Sequence, residues 1–238
     1  MNRRMFQHPA IALGGEAAVV IAAYLLYNLL RVFVEGSQGD AFDHAFRLVS
    51  LEQALGLFHE ETVQRTMERA PWLYAALEWI YLWAYLPVLG AAGIVVFARN
   101  RPLYRSYRSV MFASAAVGLV IFLIVPVAPP RMLPEFGFID PLHHAIAPTS
   151  AAKNDFAAVP SFHFGFTLLA AVGVAHAFRF RRWLCALTAL LPAVMLLAIV
   201  ATANHFFLDA AAGAGVVAPM WWWFVWRRPD HRAATGRA

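Results

Sequence analysis

The sequence predicts an all-α integral membrane protein with six transmembrane helices, an outer amphipathic helix and a proline-rich outer loop. Of its 238 residues, 61% are hydrophobic and only 14% are charged, which is too apolar for a soluble domain of this length. The apolar residues form six runs, each close to the roughly 20 residues that a spanning helix requires. A single cysteine leaves no disulfide framework and no cysteine metal site.

The six predicted spans cover residues 11–34, 71–98, 107–126, 160–178, 183–203 and 206–226. Most arginines precede the first span, follow the sixth, or join the second span to the third and the fourth to the fifth, whereas the acids collect in the opposite loops. By the positive-inside rule both termini are cytoplasmic, in a plasma or inner membrane. The arginines behind the net charge of +5 lie mostly beside the predicted spans, so no nucleic-acid partner is expected.

The whole chain is predicted to be one membrane domain. Residues 1–70 supply a first anchor helix and an interfacial helix, residues 71–226 a catalytic helix core, and residues 227–238 a cytoplasmic tail. Within residues 46–58 apolar side chains recur at helical spacing, which predicts an amphipathic helix on the outer membrane surface. A cap helix packed on the bundle fits the same pattern. Five prolines make residues 127–159 an irregular outer loop.

A histidine and an acid lie four residues apart at His205 and Asp209, inside an otherwise apolar run. On a helix this spacing puts both side chains on one face, where the carboxylate can accept a hydrogen bond from the ring. Such a pair raises the basicity of the other ring nitrogen, as a nucleophilic or basic histidine requires. A structural polar pair between helices is the alternative.

Three further polar residues flank the outer loop. Arg131 stands before it, and Ser161 and His163 follow Pro160, which is expected to open a helix as its first residue. The free N–H groups of that first turn attract an anion. Since His205 and Asp209 begin the sixth span on the same outer side, all five residues are predicted to share one membrane depth.

These motifs resemble those of a known family. Pro160-Ser161-Phe162-His163, followed by His205 and Asp209, is similar to the second and third motifs of the type 2 phosphatidic acid phosphatase superfamily. The Ala-Pro-Pro-Arg sequence ending at Arg131 resembles its inositol phosphorylceramide synthase-like branch. The resemblance implies that His205 is a nucleophile forming a phosphohistidine, that Asp209 orients it, and that His163 protonates the leaving group. It also implies phosphate binding by Ser161 and Arg131, with no metal or other cofactor.

Few cations lie near these motifs. The phosphatase branch has a lysine where this chain has Ile124, and a cation just before the third-motif histidine, where this chain has none. Arg131 and Lys153, from the loop, are then the expected phosphate-binding cations. A site with so few cations suits a phosphodiester, which carries one negative charge, better than a phosphomonoester, which carries nearly two. We therefore expect transfer of a phospho-head group between lipids.

Two other functions stay open at this stage. One is a phosphatase acting on a lipid phosphomonoester or a polyprenyl (di)phosphate. The other is a non-catalytic membrane transport protein, which would spread polar residues across the membrane depth or show an internal repeat. The polar residues here gather at one face, which favours an enzyme.

A few remaining polar and small residues carry weaker expectations. Glu16 is expected to be structural, and Glu78 to line an acceptor pocket or to join two helices. Gly213 and Gly215 are expected to permit close helix packing. His143 and His144 are expected to be solvated loop residues.

Overall fold

The computed structural model describes residues 9–34, 36–140 and 154–227. Within these ranges the protein is all-helical, as predicted, and its one β-like feature is an isolated bridge between Val127 and Ala157. The helices are α1 (Pro9–Phe33), α2 (Gln38–Leu55), α3 (Glu60–Glu68), α4 (Pro71–Arg99), α5 (Arg101–Ile124), α6 (Phe162–Ala177), α7 (Arg182–Ala201) and α8 (Phe207–Trp221).

Four of these helices are long and apolar enough to cross a membrane, namely α1 from Ala12 onward, α4, α5 and α7. The chain is therefore a membrane protein, and the six-span prediction is confirmed for these four. The other two predicted spans correspond to α6, with 16 residues, and α8, with 15 residues followed by a π-helical turn over Trp222–Trp226. At 1.5 Å per residue, α6 alone reaches only ~24 Å.

The short helix α6 lies at the centre of the bundle and contacts α4, α5, α7 and α8. A helix surrounded in this way is expected to be apolar on every side. It approaches α8 closely, because Gly213 and Gly165 have no side chains to separate the two backbones. A Cβ atom at Gly213 would lie 2.2 Å from the carbonyl oxygen of Ser161. The expected packing role is thus confirmed for Gly213, but a Cβ at Gly215 would meet nothing within 4 Å.

Helix α2 covers the end of the bundle at which the predicted outer loop lies. It begins at Gln38, where the Ser37 side chain accepts a hydrogen bond from the Asp40 N–H, and not at residue 46. Ala41, Ala45 and Val49 are buried in one cluster with the outer loop, and the Ala128 N–H donates to the Ala41 carbonyl at 3.0 Å. The structure therefore shows α2 packed on the outer loop, as the cap-helix alternative expects, and its position at the membrane surface stays a prediction.

The two described ends of the outer loop are joined to each other. The Val127 N–H donates to the Phe156 carbonyl at 2.8 Å, and Arg131 lies in a 3-10 turn over Pro130–Met132. The predicted residues Lys153, His143 and His144 lie outside the described residues. At the other end of the bundle Glu16 of α1 forms an ion pair with Arg108 of α5, which agrees with its expected structural role.

Replacement of Gly213 by alanine tests the close contact between α6 and α8. Because the new Cβ would meet a backbone oxygen, the helices must move apart, and we expect Gly213→Ala to lose about 1–3 kcal/mol of stability. The measurement is the thermal unfolding midpoint in detergent. Gly215→Ala, on the same helix but facing open space, is the matched control. An equal midpoint for both variants would contradict the packing described.

Candidate active site

A cavity of about 650 Å³ lies between α1, α4, α5 and α6 and reaches the outer end of the bundle. Three of the predicted site residues line it: Arg131, His163 and His205. Asp209 and Ser161 are fully buried beside them. The structure thus brings the five residues together from the outer loop, the start of α6 and the start of α8.

His205 lies in the connection between α7 and α8. Its Nδ1 is 3.2 Å from Asp209 Oδ2, which also accepts a hydrogen bond from the Phe206 N–H at 2.9 Å. The predicted pair therefore exists, but the expectation that both residues sit on one helical face is wrong, because α8 begins only at Phe207. The carboxylate of Asp209 instead caps its own helix and holds the ring from the first turn. This arrangement leaves Nε2 as the nitrogen that can attack.

The environment of His205 keeps its ring unprotonated. The side chain is only 5% exposed, and burial lowers its pKa to about 3, with the positive charges of Arg131 and Arg31 acting in the same direction. A neutral imidazole is the form that carries a free electron pair. At neutral pH His205 is therefore ready to act as a nucleophile or a base.

His163 is held between two tyrosines of α4. Its ring centroid is 4.4 Å from that of Tyr81 and 4.4 Å from that of Tyr85, and 5.9 Å from that of His205. The Tyr85 hydroxyl donates to the Phe162 carbonyl at 3.0 Å. Tyr81 lies within a π-helical turn of α4 (Ile80–Ala84) and Tyr85 directly follows it, a local distortion that hydropathy does not reveal. Sequence reasoning missed this aromatic clamp.

Ser161 has a different place from the one predicted. It is the residue before α6 rather than part of its first turn, and Pro160 precedes it, so the expectation that Pro160 opens the helix is wrong. The Ser161 N–H donates to the Asp209 carbonyl at 2.9 Å. Its hydroxyl is buried, has no hydrogen-bond partner among the residues described, and does not line the cavity. The backbone of Ser161 thus joins α6 to α8.

Arg131 is fixed against the connection that carries His205. Its backbone N–H donates to the Ala203 carbonyl at 2.8 Å, and its Nη1 donates to Asn204 Oδ1 at 2.8 Å. Two carboxylates lie near the guanidinium, with Asp155 Oδ1 at 3.3 Å from Nη2 and Asp140 Oδ1 at 3.8 Å from Nε. Asn204, which sequence reasoning noted only as an uncharged residue, therefore positions the guanidinium of Arg131 beside His205.

Two buried glutamates of the cap helices bind the start of α8. The Leu208 N–H donates to Glu52 Oε1 at 2.7 Å, and the Phe207 N–H donates to Glu60 Oε1 at 3.0 Å. Both side chains are fully buried. Sequence reasoning counted them only as outer-loop acids, although Glu52 continues the buried face that runs through Ala45 and Val49. An acid in line with an apolar helical face is the signal that could have found it.

The first of the two roles expected for Glu78, lining an acceptor pocket, finds no support in the cavity, and its role in joining two helices stays a prediction. It lies on α4, but it is not among the lining residues, whereas Tyr81 and Tyr85 of the same helix are. The structure places the aromatic clamp, and not this acid, against His163.

One comparison with known proteins finds a match. A family model described as the PAP2 superfamily matches residues 47–231. The matched region contains Arg131, His163, His205 and Asp209 and begins after α1. No curated protein and no solved structure matches.

The glutamates at α8 predict a pH-dependent stability. Burial raises the pKa of Glu52 from 4.5 to about 9, and a hydrogen bond to Glu60 adds to the rise. The folded protein therefore keeps a proton that the unfolded chain releases, so stability falls as pH rises from 4.5 to 9. Glu52→Gln, which has no proton to release, should flatten this decline in the thermal unfolding midpoint.

Glu135→Gln is the control for that measurement, because Glu135 is an exposed acid on the same outer face. It should retain the decline of the parent protein. A Glu52→Gln variant that loses stability with pH as steeply as the parent would show that Glu52 is not protonated in the folded state.

Proposed function

This chain belongs to the PAP2 superfamily, and we propose that it is a membrane-embedded lipid phosphotransferase or phosphatase acting through a phosphohistidine at His205. The observation that carries the proposal is the neutral, Asp209-bound His205 facing one cavity together with Arg131 and His163. A nucleophile, an acid and a cation in one buried site are what phosphoryl transfer through a covalent intermediate needs.

In the first step the Nε2 electron pair of His205 attacks phosphorus. A P–N bond forms, the bond between phosphorus and the leaving oxygen breaks, and a protonated His163 gives its proton to that oxygen. The ring of His205 gains positive charge as it bonds, and the Asp209 carboxylate stabilises that charge through Nδ1. Arg131 offers a planar fork of donors to the phosphate oxygens.

In the second step an acceptor hydroxyl attacks the phosphohistidine. His163, now neutral, takes the proton of that hydroxyl, the new P–O bond forms, and the P–N bond to His205 breaks. Both histidines return to their starting protonation states. If the acceptor is a lipid or sugar hydroxyl the reaction is a transfer, and if it is water the reaction is a hydrolysis.

The preferred donor in this proposal is a phosphodiester lipid, and the reaction is movement of its phospho-head group to another lipid. Asp155 and Asp140 lie close to the guanidinium of Arg131 and offset part of its charge. A phosphomonoester, with nearly two charges, would be repelled more strongly by these carboxylates than a singly charged diester.

A lipid phosphomonoester or polyprenyl (di)phosphate phosphatase is the second candidate. The observation in its favour is Arg31, which lines the same cavity and which the sequence-based count of cations left out. A second guanidinium reduces the cost of binding a doubly charged phosphate.

The proposed topology has six membrane-crossing helices, with both termini in the cytoplasm and the site at the extracytoplasmic face. The arginine-rich connections between α4 and α5 and between α6 and α7 support this orientation. A site on that face would act on lipids of the outer leaflet.

Removal of the nucleophile is the primary test. Purified protein is offered a phosphodiester phospholipid and, separately, a lipid phosphomonoester, and both free phosphate and new lipid products are measured. We expect diester turnover with little free phosphate, and a loss of at least about 10⁴-fold in His205→Ala. Histidine-bound phosphate should be trapped in the parent protein by rapid acid-free quenching.

His59→Gln, a change at an exposed histidine on the same outer face, is the matched control and should keep full activity. Free phosphate from the monoester alone would favour the second candidate. Turnover that survives in His205→Ala would refute the assignment of the nucleophile.

A leaving-group series tests His163. Protonation of the leaving oxygen matters for an alkyl alcohol but hardly for nitrophenol, which leaves as a stable anion. His163→Gln should therefore lose roughly 10²–10⁴-fold activity on alkyl esters and much less on nitrophenyl esters. The measurement is kcat/KM for both ester classes, and an equal loss on both would assign His163 another role.

A further inference from the structure

Helix α1 precedes the matched family region, yet it forms one wall of the cavity that holds the site. Its lining residues recur along one face: Leu13, Ala17, Val20, Tyr24, Tyr27 and Arg31. Arg31 lies at the outer end of this face, where the cavity also meets Arg131 and His205. The wall therefore begins at the phosphate site and follows the helix through the membrane.

Arg31 is held in place by contacts with the outer loop. Its Nη2 donates to the Asn154 carbonyl at 3.2 Å, and the Asn154 side chain donates back to the Arg31 carbonyl at 3.2 Å. The guanidinium also lies 5.9 Å from the centroid of the Phe122 ring. Its Nε is buried and has no hydrogen-bond partner among the residues that the structure describes. A fixed guanidinium with an unsatisfied donor beside the nucleophile is suited to an anionic oxygen.

Below Arg31 the cavity continues as a mostly apolar slot between α1, α4 and α5, with Arg108, which is paired with Glu16, among the lining residues at its far end. Arg31 and Leu13 are separated by five helical turns, so the slot is ~27 Å long at 1.5 Å per residue. Gly90 and Gly93 of α4 line it, and a Cβ atom at either would meet nothing within 4 Å. These glycines leave open space inside the slot, because no neighbouring side chain fills it.

We propose that α1 completes the substrate site: Arg31 is a second phosphate-binding cation, and the slot beside it receives one long apolar chain of the lipid substrate. The inference rests on the proposed function and names how that site recognises its lipid. A cation at the head of the slot and apolar walls along its length complement a phosphate carried on a long chain. A water-soluble phosphate would leave this apolar volume empty.

The first experiment separates phosphate binding from catalysis by Arg31. Arg31→Gln should raise KM for the long-chain phospholipid about 10- to 100-fold, the worth of a hydrogen bond to a charged group, while kcat changes less. Arg31→Lys should reverse part of this rise in KM, because it restores the positive charge but not the planar guanidinium group. Arg47→Gln, which removes an exposed arginine of α2 on the same outer face, is the matched control.

The second experiment fills the slot. Gly93→Leu places a side chain in the open space of the slot. It should raise KM for a dioleoyl substrate at least about tenfold, because each CH₂ group of the chain that can no longer be buried there loses about 0.8 kcal/mol. The KM for a dihexanoyl substrate, whose chains are too short to reach this part of the slot, should be nearly unchanged. Gly215→Leu adds the same side chain on α8, at a site that meets open space outside the cavity.

Binding measured in the His205→Ala background keeps this inference distinct from the proposed function. Fluorescent long-chain phospholipid is titrated into His205→Ala protein with and without Arg31→Gln or Gly93→Leu. Weaker binding in both double variants supports the inference even if the parent protein turns over no lipid, an outcome that would refute only the function. Unchanged binding, or an equal effect of Gly93→Leu on short and long chains, would overturn the inference.

Discussion

The site depends on satisfying the first backbone N–H groups of α8. These groups have no partners within the helix, and in apolar surroundings each must find an acceptor. Three acidic side chains supply them: Asp209 accepts from Phe206, Glu60 from Phe207, and Glu52 from Leu208. Since His205 is the residue just before this turn, the same three bonds fix its position. They also bind α2 and α3 to the membrane bundle, so these two helices help to hold the candidate site in place as well as covering it.

The connection from α7 to α8 couples Arg131 to His205. Ala203 has a left-handed backbone, with φ of 50°, which costs a residue with a side chain roughly 1–2 kcal/mol. That turn presents the Ala203 carbonyl and the Asn204 side chain to Arg131, while the next residue is His205. Strain of this kind persists when the surrounding bonds determine the conformation, and here they hold two functional groups together.

Charge at the head of the cavity is balanced rather than uniformly positive. Arg131 and Arg31 face it, and Asp155 and Asp140 lie near Arg131. In a site of low dielectric such a balance discriminates between phosphates by their charge more sharply than water would. The apolar slot along α1 adds a second criterion, the length of the attached chain. The outer loop would then recognise the head group of the lipid, and α1 would recognise its chain.

The sequence by itself determined the all-α membrane architecture and the residues of the candidate site, because apolar run length and short motifs are local properties. It placed four of six spans correctly and named Arg131, His163, His205 and Asp209, which the structure brings to one site. Only the tertiary structure decided what supports them. Glu52 meets Leu208 across 156 positions of the chain, and Arg31 meets Asn154 across 123. Such contacts arise from how helices pack, so helical spacing can indicate that Glu52 is buried but not which residue it meets.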